Sequence, residues 1–395
     1  MSRDQPVVRR ARLVVAAVFF LNGAVLASWV PHIPVVKQRL AVGDGILGLV
    51  LLCMAAGALC ALSVAGWLVA RHGSRFITIA AALALCAALP LPLLAPSLLL
   101  VGLALFVLGA ANGALDVSMN AQAVLVEQRC GRPIMSGFHG LFSLGGLAGA
   151  ATAGLVTGLG ASPAQHVLAM AALGVVAVAA VAGTLIDAPS AAHGVPLFVR
   201  PTGPLRWLGL LAFAALMAEG AMADWSAVYL HDTLASSPAI AATGFAAFSL
   251  LMTIGRLGGD RAIAAYGARA VLRISAGLAA GGLAAALCVA TPLAGVIGCA
   301  VVGLGIANAI PILFSRAGSL PGVDAGVGLA AVASTGYLGF LAGPPLIGLA
   351  AESVGLGAAL GVVVAACAVL AGAAGVVGGG AAGGRIALAE AAEGA

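Results

Sequence analysis

Charge is what this sequence has least of. Only 8% of its 395 residues are Asp, Glu, Lys or Arg, against about 25% in an ordinary soluble domain. A water-facing surface cannot be built from so few charges. Disorder is excluded as well, because it needs low hydrophobicity and high net charge. The seven cysteines (Cys53, Cys60, Cys86, Cys130, Cys288, Cys299 and Cys367) are scattered and include no CxxC pair. Neither a disulfide framework nor a zinc site is indicated. The sequence has no GxxxxGK[ST] loop, which argues against ATP drive within this chain, and no HExxH or GxSxG of an intramembrane hydrolase. A channel needs a filter-like loop or a ring of charges, and neither is visible. The net charge of +5 is not gathered into a groove or stripe, so nucleic acid is not an expected partner. No cofactor and no metal ion are expected.

What remains is apolar sequence. Hydrophobic residues make up 62% of the chain and the mean hydropathy is +1.16. Runs long enough to cross a bilayer need about 20 apolar residues. The first half offers such runs at about 12–32, 45–69, 76–95, 97–124, 135–158 and 165–186, the second at about 206–230, 239–258, 271–290, 292–314, 326–350 and 355–379. Glycine, at 56 residues, lies largely inside these runs. In lipid that composition marks helix faces that approach closely. Arg9, Arg10 and Arg12 before the first run look like the start of a signal peptide. The run reaches Pro31 without a small-residue cleavage site, so it reads as a retained span.

The basic residues orient the spans. With the amino terminus in the cytoplasm and sides alternating, sixteen of the eighteen Lys and Arg face the cytoplasm, and only Lys37 and Arg39 lie outside. One missed helix would invert everything downstream of it, so this asymmetry supports twelve spans with both termini inside a bacterial inner membrane. The stretch from Asp187 to Arg206, with four prolines, divides the chain into two halves. His72-Gly-Ser-Arg75 recurs as Tyr266-Gly-Ala-Arg269, an offset of 194, and Leu147-Ala-Gly149 recurs as Leu341-Ala-Gly343 at the same offset. Ala111-Asn112 recurs as Ala307-Asn308, an offset of 196. Repeats of this kind underlie carriers that work by alternating access around a site near the membrane midplane.

The loop Gly66-Trp-Leu-Val-Ala-Arg71-His-Gly73-Ser-Arg75 resembles the signature loop of the major facilitator superfamily, with Ala70 where that pattern has an acid. The counterpart, Gly255-Arg256-Leu257-Gly258-Gly259-Asp260-Arg261, keeps its acid at Asp260. Further runs are similar to a MosC/YbjJ-like branch of the superfamily: Asn22-Gly23 with Trp29-Val-Pro-His-Ile-Pro34, Gly113 to Gln122, Gly137-Phe-His139-Gly140-Leu-Phe-Ser143, and Glu219 to Tyr229. The resemblance implies an all-α membrane protein with twelve transmembrane helices in two pseudo-symmetric six-helix bundles. The expected domains are 1–190 and 206–395, with a cytoplasmic linker at 191–205. It implies transport of a small hydrophilic metabolite. One namesake of the branch is associated with rhizopine, an amino-polyol.

Ionisable groups inside a bilayer are costly and tend to mark function. Three acids sit well inside the spans: Asp116, Glu219 and Asp224. Asn112, Asp116 and Asn120 recur every four residues and share one helix face, either for hydrogen bonds between helices or for a ligand. Asp116 has two candidate partners, His139 as a proton relay or Arg256 as an ion pair across the halves. Glu219 and Asp224, five apart, face different directions unless the helix breaks near Gly220. Trp225 beside them is either an interfacial anchor or a stacking surface for substrate. Substrate-binding candidates are therefore Glu219, Asp224, Trp225, Asn22, Asn120, Gln122, Asn308 and Tyr337. Proton-coupling candidates are Asp116, His139 and Glu219. Gating candidates are Arg71, Arg75, Arg256, Asp260 and Arg261. His32 reads as an interface residue near the outer mouth, and the prolines as shaping helices. The expectation is a monomeric, proton-coupled carrier of a sugar, polyol or amino-polyol, its partners being substrate, protons and membrane lipid. A drug or metabolite efflux carrier of the same fold, or a non-transporting sensor or structural protein, are the alternatives.

Overall fold

Apolar side chains cannot satisfy backbone N–H and C=O groups, so a chain in lipid must close its hydrogen bonds within each segment, as helices. The computed structural model describes residues 5–130, 134–186, 203–320, 323 and 325–377, and among these the ordered elements are helical. Twelve helices are long and apolar enough to span a membrane: α1 Val8–Leu40, α2 Asp44–Val69, α3 Ser74–Leu94, α4 Leu98–Glu127, α5 Gly137–Gly158, α6 Pro163–Thr184, α7 Pro204–Thr233, α8 Pro238–Tyr266, α9 Ala268–Val289, α10 Pro292–Gly318, α11 Ala331–Val354 and α12 Leu356–Val377. With twelve crossings the chain begins and ends on one face, called here the terminal face; the opposite one is the far face. Most of the expected linker, residues 191–202, lies outside the described residues.

Each half is held by glycines that let one backbone touch another. Within the first half, Gly109 of α4 lies against the Met54 carbonyl of α2, and Gly145 of α5 against the Phe20 carbonyl of α1. The second half repeats both contacts, Gly303 of α10 on the Phe248 carbonyl of α8 and Gly339 of α11 on the Phe213 carbonyl of α7. Gly109 and Gly303 are 194 apart, as are Met54 and Phe248, which is the offset of the sequence repeats. The turn α2–α3 pivots on Gly73 at φ 81° and the turn α8–α9 on Gly267 at φ 78°, also 194 apart. Only glycine adopts that backbone without strain. Between the halves, α2 packs on α11 and α5 on α8.

The helix is interrupted beside proline in α1, α3 and α10, and in α11 two prolines lie within an unbroken helix. In α1 the helix Gln5–Ala27 gives way to a 3-10 turn, Val30–His32, before resuming at Ile33–Leu40. Pro31 and Pro34 carry no amide proton, so two rungs of the ladder cannot form. The expected span 12–32 thus runs eight residues further, to Leu40. In α10, expected as one rod over 292–314, the helix stops at Ile306 and restarts at Ala309, because Pro311 cannot bond the Ala307 carbonyl. In α11, Pro344 and Pro345 sit inside the helix, opposite Gly48 of α2, which approaches the Pro344 carbonyl.

Candidate functional site

The polar residues of the spans gather in two layers, one near mid-depth and one at the far face. At mid-depth α4 turns Asn112, Asp116 and Asn120 to the interior, all half-buried. Asn120 Nδ2 donates to the Asp116 backbone oxygen at 2.8 Å and to Asp116 Oδ1 at 3.1 Å. The Tyr337 hydroxyl, from α11 of the other half, donates to Asp116 Oδ2 at 3.4 Å. Tyr337 also lies within electrostatic reach of Glu219 on α7. Glu219 in turn faces Arg256 of α8 at 3.4 Å. Arg256 Nη1 donates to Ser143 Oγ on α5 at 2.7 Å, which carries the network back to the first half. His139, one helical turn before Ser143, stands edge-on to Phe19 with ring centroids 5.3 Å apart, and Arg256 acts on it electrostatically. One polar chain therefore runs from α4 through α11, α7 and α8 to α5, crossing between the halves twice.

The far face is closed by charges the sequence placed there sparingly. Lys37, the chain's single lysine, sits on the resumed end of α1. Its ammonium contacts Asp44 at 2.6 Å within its own half and Asp232 at 2.7 Å across the divide. The last turn of α7, Tyr229–Thr233, is a π-helical turn that carries Asp232 and His231 toward α1. Gln38 adds a contact to His231 at 3.2 Å. The Gly45 amide at the start of α2 donates to Glu352 Oε1 on α11 at 3.2 Å, a second tie between the halves. A carboxylate there also complements the positive end of the α2 dipole. Arg39 acts within one half instead, where its guanidinium donates to the backbone oxygens of Pro92, Leu93 and Ala95 and caps the end of α3.

Several expected site residues lie elsewhere. His139 does not meet Asp116, because α4 packs on α2 and α5 on α1, which separates the two consecutive helices. Arg256 pairs with Glu219 rather than Asp116, since α8 leans on α5 and not on α4. The helix of α7 runs unbroken through Gly220, so Glu219 and Asp224 do point apart. Among the described residues Asp224 has neither a hydrogen bond nor an ion pair. Trp225 is fully buried against the α2–α11 seam, and is neither an interfacial anchor nor a free stacking face.

Gln122, expected at the substrate site, is enclosed near the terminal face. It donates to Ser74 Oγ and to the Ile186 backbone oxygen, both at 2.8 Å, and accepts from the Ile186 amide at 3.0 Å. Asn308 stands just before the restart of α10 without capping it, and its side chain donates instead to the Gly255 carbonyl at 3.0 Å. Asn22 is sealed between α1 and α4, beside the Met119 sulfur at 3.6 Å. Of the gating candidates, Arg71 lies over the exposed Trp67 ring at 5.3 Å, while Asp260 and Arg261 are exposed. Arg75 is half-buried at the start of α3. Lys37, Asp232, Glu352 and Ser143 are the residues sequence reasoning passed over. The signal for Lys37 was present, since it was one of two exceptions to the charge asymmetry.

No family model matches the chain. An uncharacterized MFS-type transporter of Yersinia pestis is 40% identical over 345 residues, spanning 87% of this chain and 90% of its own. The membrane protein MosC of Rhizobium meliloti is 41% identical over 361 residues, 90% of this chain and 88% of its own. Among solved structures, the nucleoside transporter NupG superimposes with a TM-score of 0.71 at 16% identity, covering 93% of this chain and 99% of its own. The D-xylose-proton symporter does so with a TM-score of 0.71 at 13% identity, covering 93% and 97%.

Proposed function

The chain belongs to the major facilitator superfamily of transporters, and on that premise we propose that it is a proton-coupled secondary carrier. In this reading it moves a small polar metabolite, a sugar, polyol or amino-polyol, across a bacterial inner membrane by alternating access, with its terminal face in the cytoplasm. The observation that carries the proposal is the contact of Asp116 with Tyr337. A carboxylate at mid-depth is bonded to two neutral groups, Asn120 and Tyr337, and one of them belongs to the other half.

Such a carboxylate needs a proton or a cation to stay in a low-dielectric interior. Asp116 is therefore the proton site. A hydroxyl-bearing ligand offers the same donors as Tyr337 and competes with it for Asp116 and Asn120. Binding then loosens the bond between the halves, and gain or loss of the proton sets its strength. Glu219 and Arg256 keep each other neutralised while Ser143 fixes the guanidinium, so the ligand meets a fixed dipole rather than a bare charge. His139, beside Arg256, completes that wall. Polar donors and acceptors lining this layer favour a hydrophilic cargo over an apolar drug. The far-face ties of Lys37 and Glu352 hold the carrier shut on that side, the state that presents the site toward the terminal face.

The test is purified protein in liposomes. Saturable flux that follows an imposed pH gradient supports the proposal; ohmic current, or no flux with any polyol, sugar or amine that binds, refutes it. A thermal-shift screen of those compounds on wild type and Glu219→Gln names the cargo, since a true ligand stabilises the first and not the second.

A further inference from the structure

His32 and His166 are both buried, 2% and 3% exposed, and neither takes part in the mid-depth network. His32 ends the 3-10 turn that breaks α1, and His166 lies in the first turns of α6. Their ring nitrogens, Nε2 of His32 and Nδ1 of His166, are 2.9 Å apart. His166 Nε2 continues the chain to Thr152 Oγ1 on α5 at 3.3 Å. The Thr152 hydroxyl directs its own proton to the backbone oxygen of Ala148 at 2.7 Å. Thr152 Oγ1 therefore accepts from His166, so the proton of that ring is on Nε2 and its Nδ1 is an acceptor. His32 must then donate from Nε2. Both rings are neutral in this order, as burial of two adjacent imidazoles requires.

Directly after His32 the chain becomes the short helix Ile33–Leu40 that carries Lys37. Five residues at about 1.5 Å each put the ammonium-bearing residue roughly 7.5 Å beyond the pin. Lys37, Asp44, His231 and Asp232 are the charged or titratable groups next along that face. We infer that His32, His166 and Thr152 form a pin that positions Lys37 for the far-face gate, His166 being the positioning residue. The inference rests on reading the far face as a gate. Without the pin the broken end of α1 is released from α6, and Lys37 with it.

A carboxamide has one acceptor and one donor at nearly the spacing of the two imidazole nitrogens. His166→Gln therefore keeps the pin, whereas His166→Leu removes it. Spin labels at Leu159→Cys and Leu293→Cys, exposed positions in the two halves at the far face, report gate opening when the native cysteines are replaced by serine. In wild type the distance distribution is expected to be short at pH 8. His166→Leu is expected to gain a longer component, and His166→Gln to keep the wild-type distribution. A His166→Leu distribution identical to wild type, or a His166→Gln distribution as open as that of His166→Leu, overturns the inference. Lys37→Ala separates the two levels: if it leaves the distribution closed, the gate reading itself fails.

Discussion

Arg256 and Glu219 give a test that needs no knowledge of the cargo. Their side chains are 14% and 21% exposed and 3.4 Å apart, with Ser143 as the second partner of the guanidinium. Removing one member of a fully buried ion pair costs about 3–5 kcal/mol, because the survivor is left as an uncompensated charge. Partial exposure and the long contact reduce this to about 2 kcal/mol. Unfolding entropy near 2.1 cal/mol/K per residue turns that into a fall of roughly 2–3 °C in Tm for a chain of this size. Arg256→Gln and Glu219→Gln should each show it by thermal unfolding in detergent at one fixed scan rate. The double variant has no orphaned charge and should recover to within about 1 °C of wild type, a coupling on the order of 3–4 kcal/mol. Losses that simply add would refute the pair as a unit and return Glu219 to the position of a lone carboxylate.

Three further outcomes follow from the same contacts. Asp116→Asn should abolish the pH dependence of transport while leaving ligand-induced thermal stabilisation in place; an unchanged pH profile removes Asp116 from proton coupling. Gln122→Leu deletes three hydrogen bonds at about 1 kcal/mol each, so Tm should fall by roughly 3–4 °C with KM for transport unaltered, and a changed KM would return Gln122 to the site. Gly48→Leu drives a side chain into the Pro344 backbone and should spring the far-face seam, read as a longer Leu159–Leu293 label distance at neutral pH. A closed distribution there would mean the seam tolerates bulk.

How much of this was legible beforehand depends on how local each feature is. Span number follows from what lipid demands of every segment separately, so the apolar runs sufficed. The repeat was legible because Gly73 and Gly267 answer a backbone requirement that only glycine meets. The kinks were foreshadowed by Pro31, Pro34 and Pro311. Pairings were not, because they depend on which helices become neighbours. His139 was assigned to Asp116 on the expectation that consecutive spans pack as a hairpin, and α4 and α5 do not. Asn22, Gln122 and Asn308 carry side chains of the kind that bind polar ligands, and their enclosed contacts with Met119, Ser74, Ile186 and Gly255 exist only once the helices are assembled. Lys37, Asp232 and Glu352 looked like ordinary loop charges because their opposition is created by folding alone.

The backbone contacts at Gly109, Gly145, Gly303 and Gly339 have a mechanical consequence. Where main chain rests on main chain, no rotamer can yield, so each six-helix half behaves as a stiff beam that spans the membrane. The α2–α11 and α5–α8 seams are where two such beams meet. A tilt that parts the beams at one end must bring them together at the other, with the fulcrum near Asp116 and Tyr337. For the carrier proposed above, exclusive access from one side at a time is then a property of levers, and no signal has to travel through the protein to enforce it.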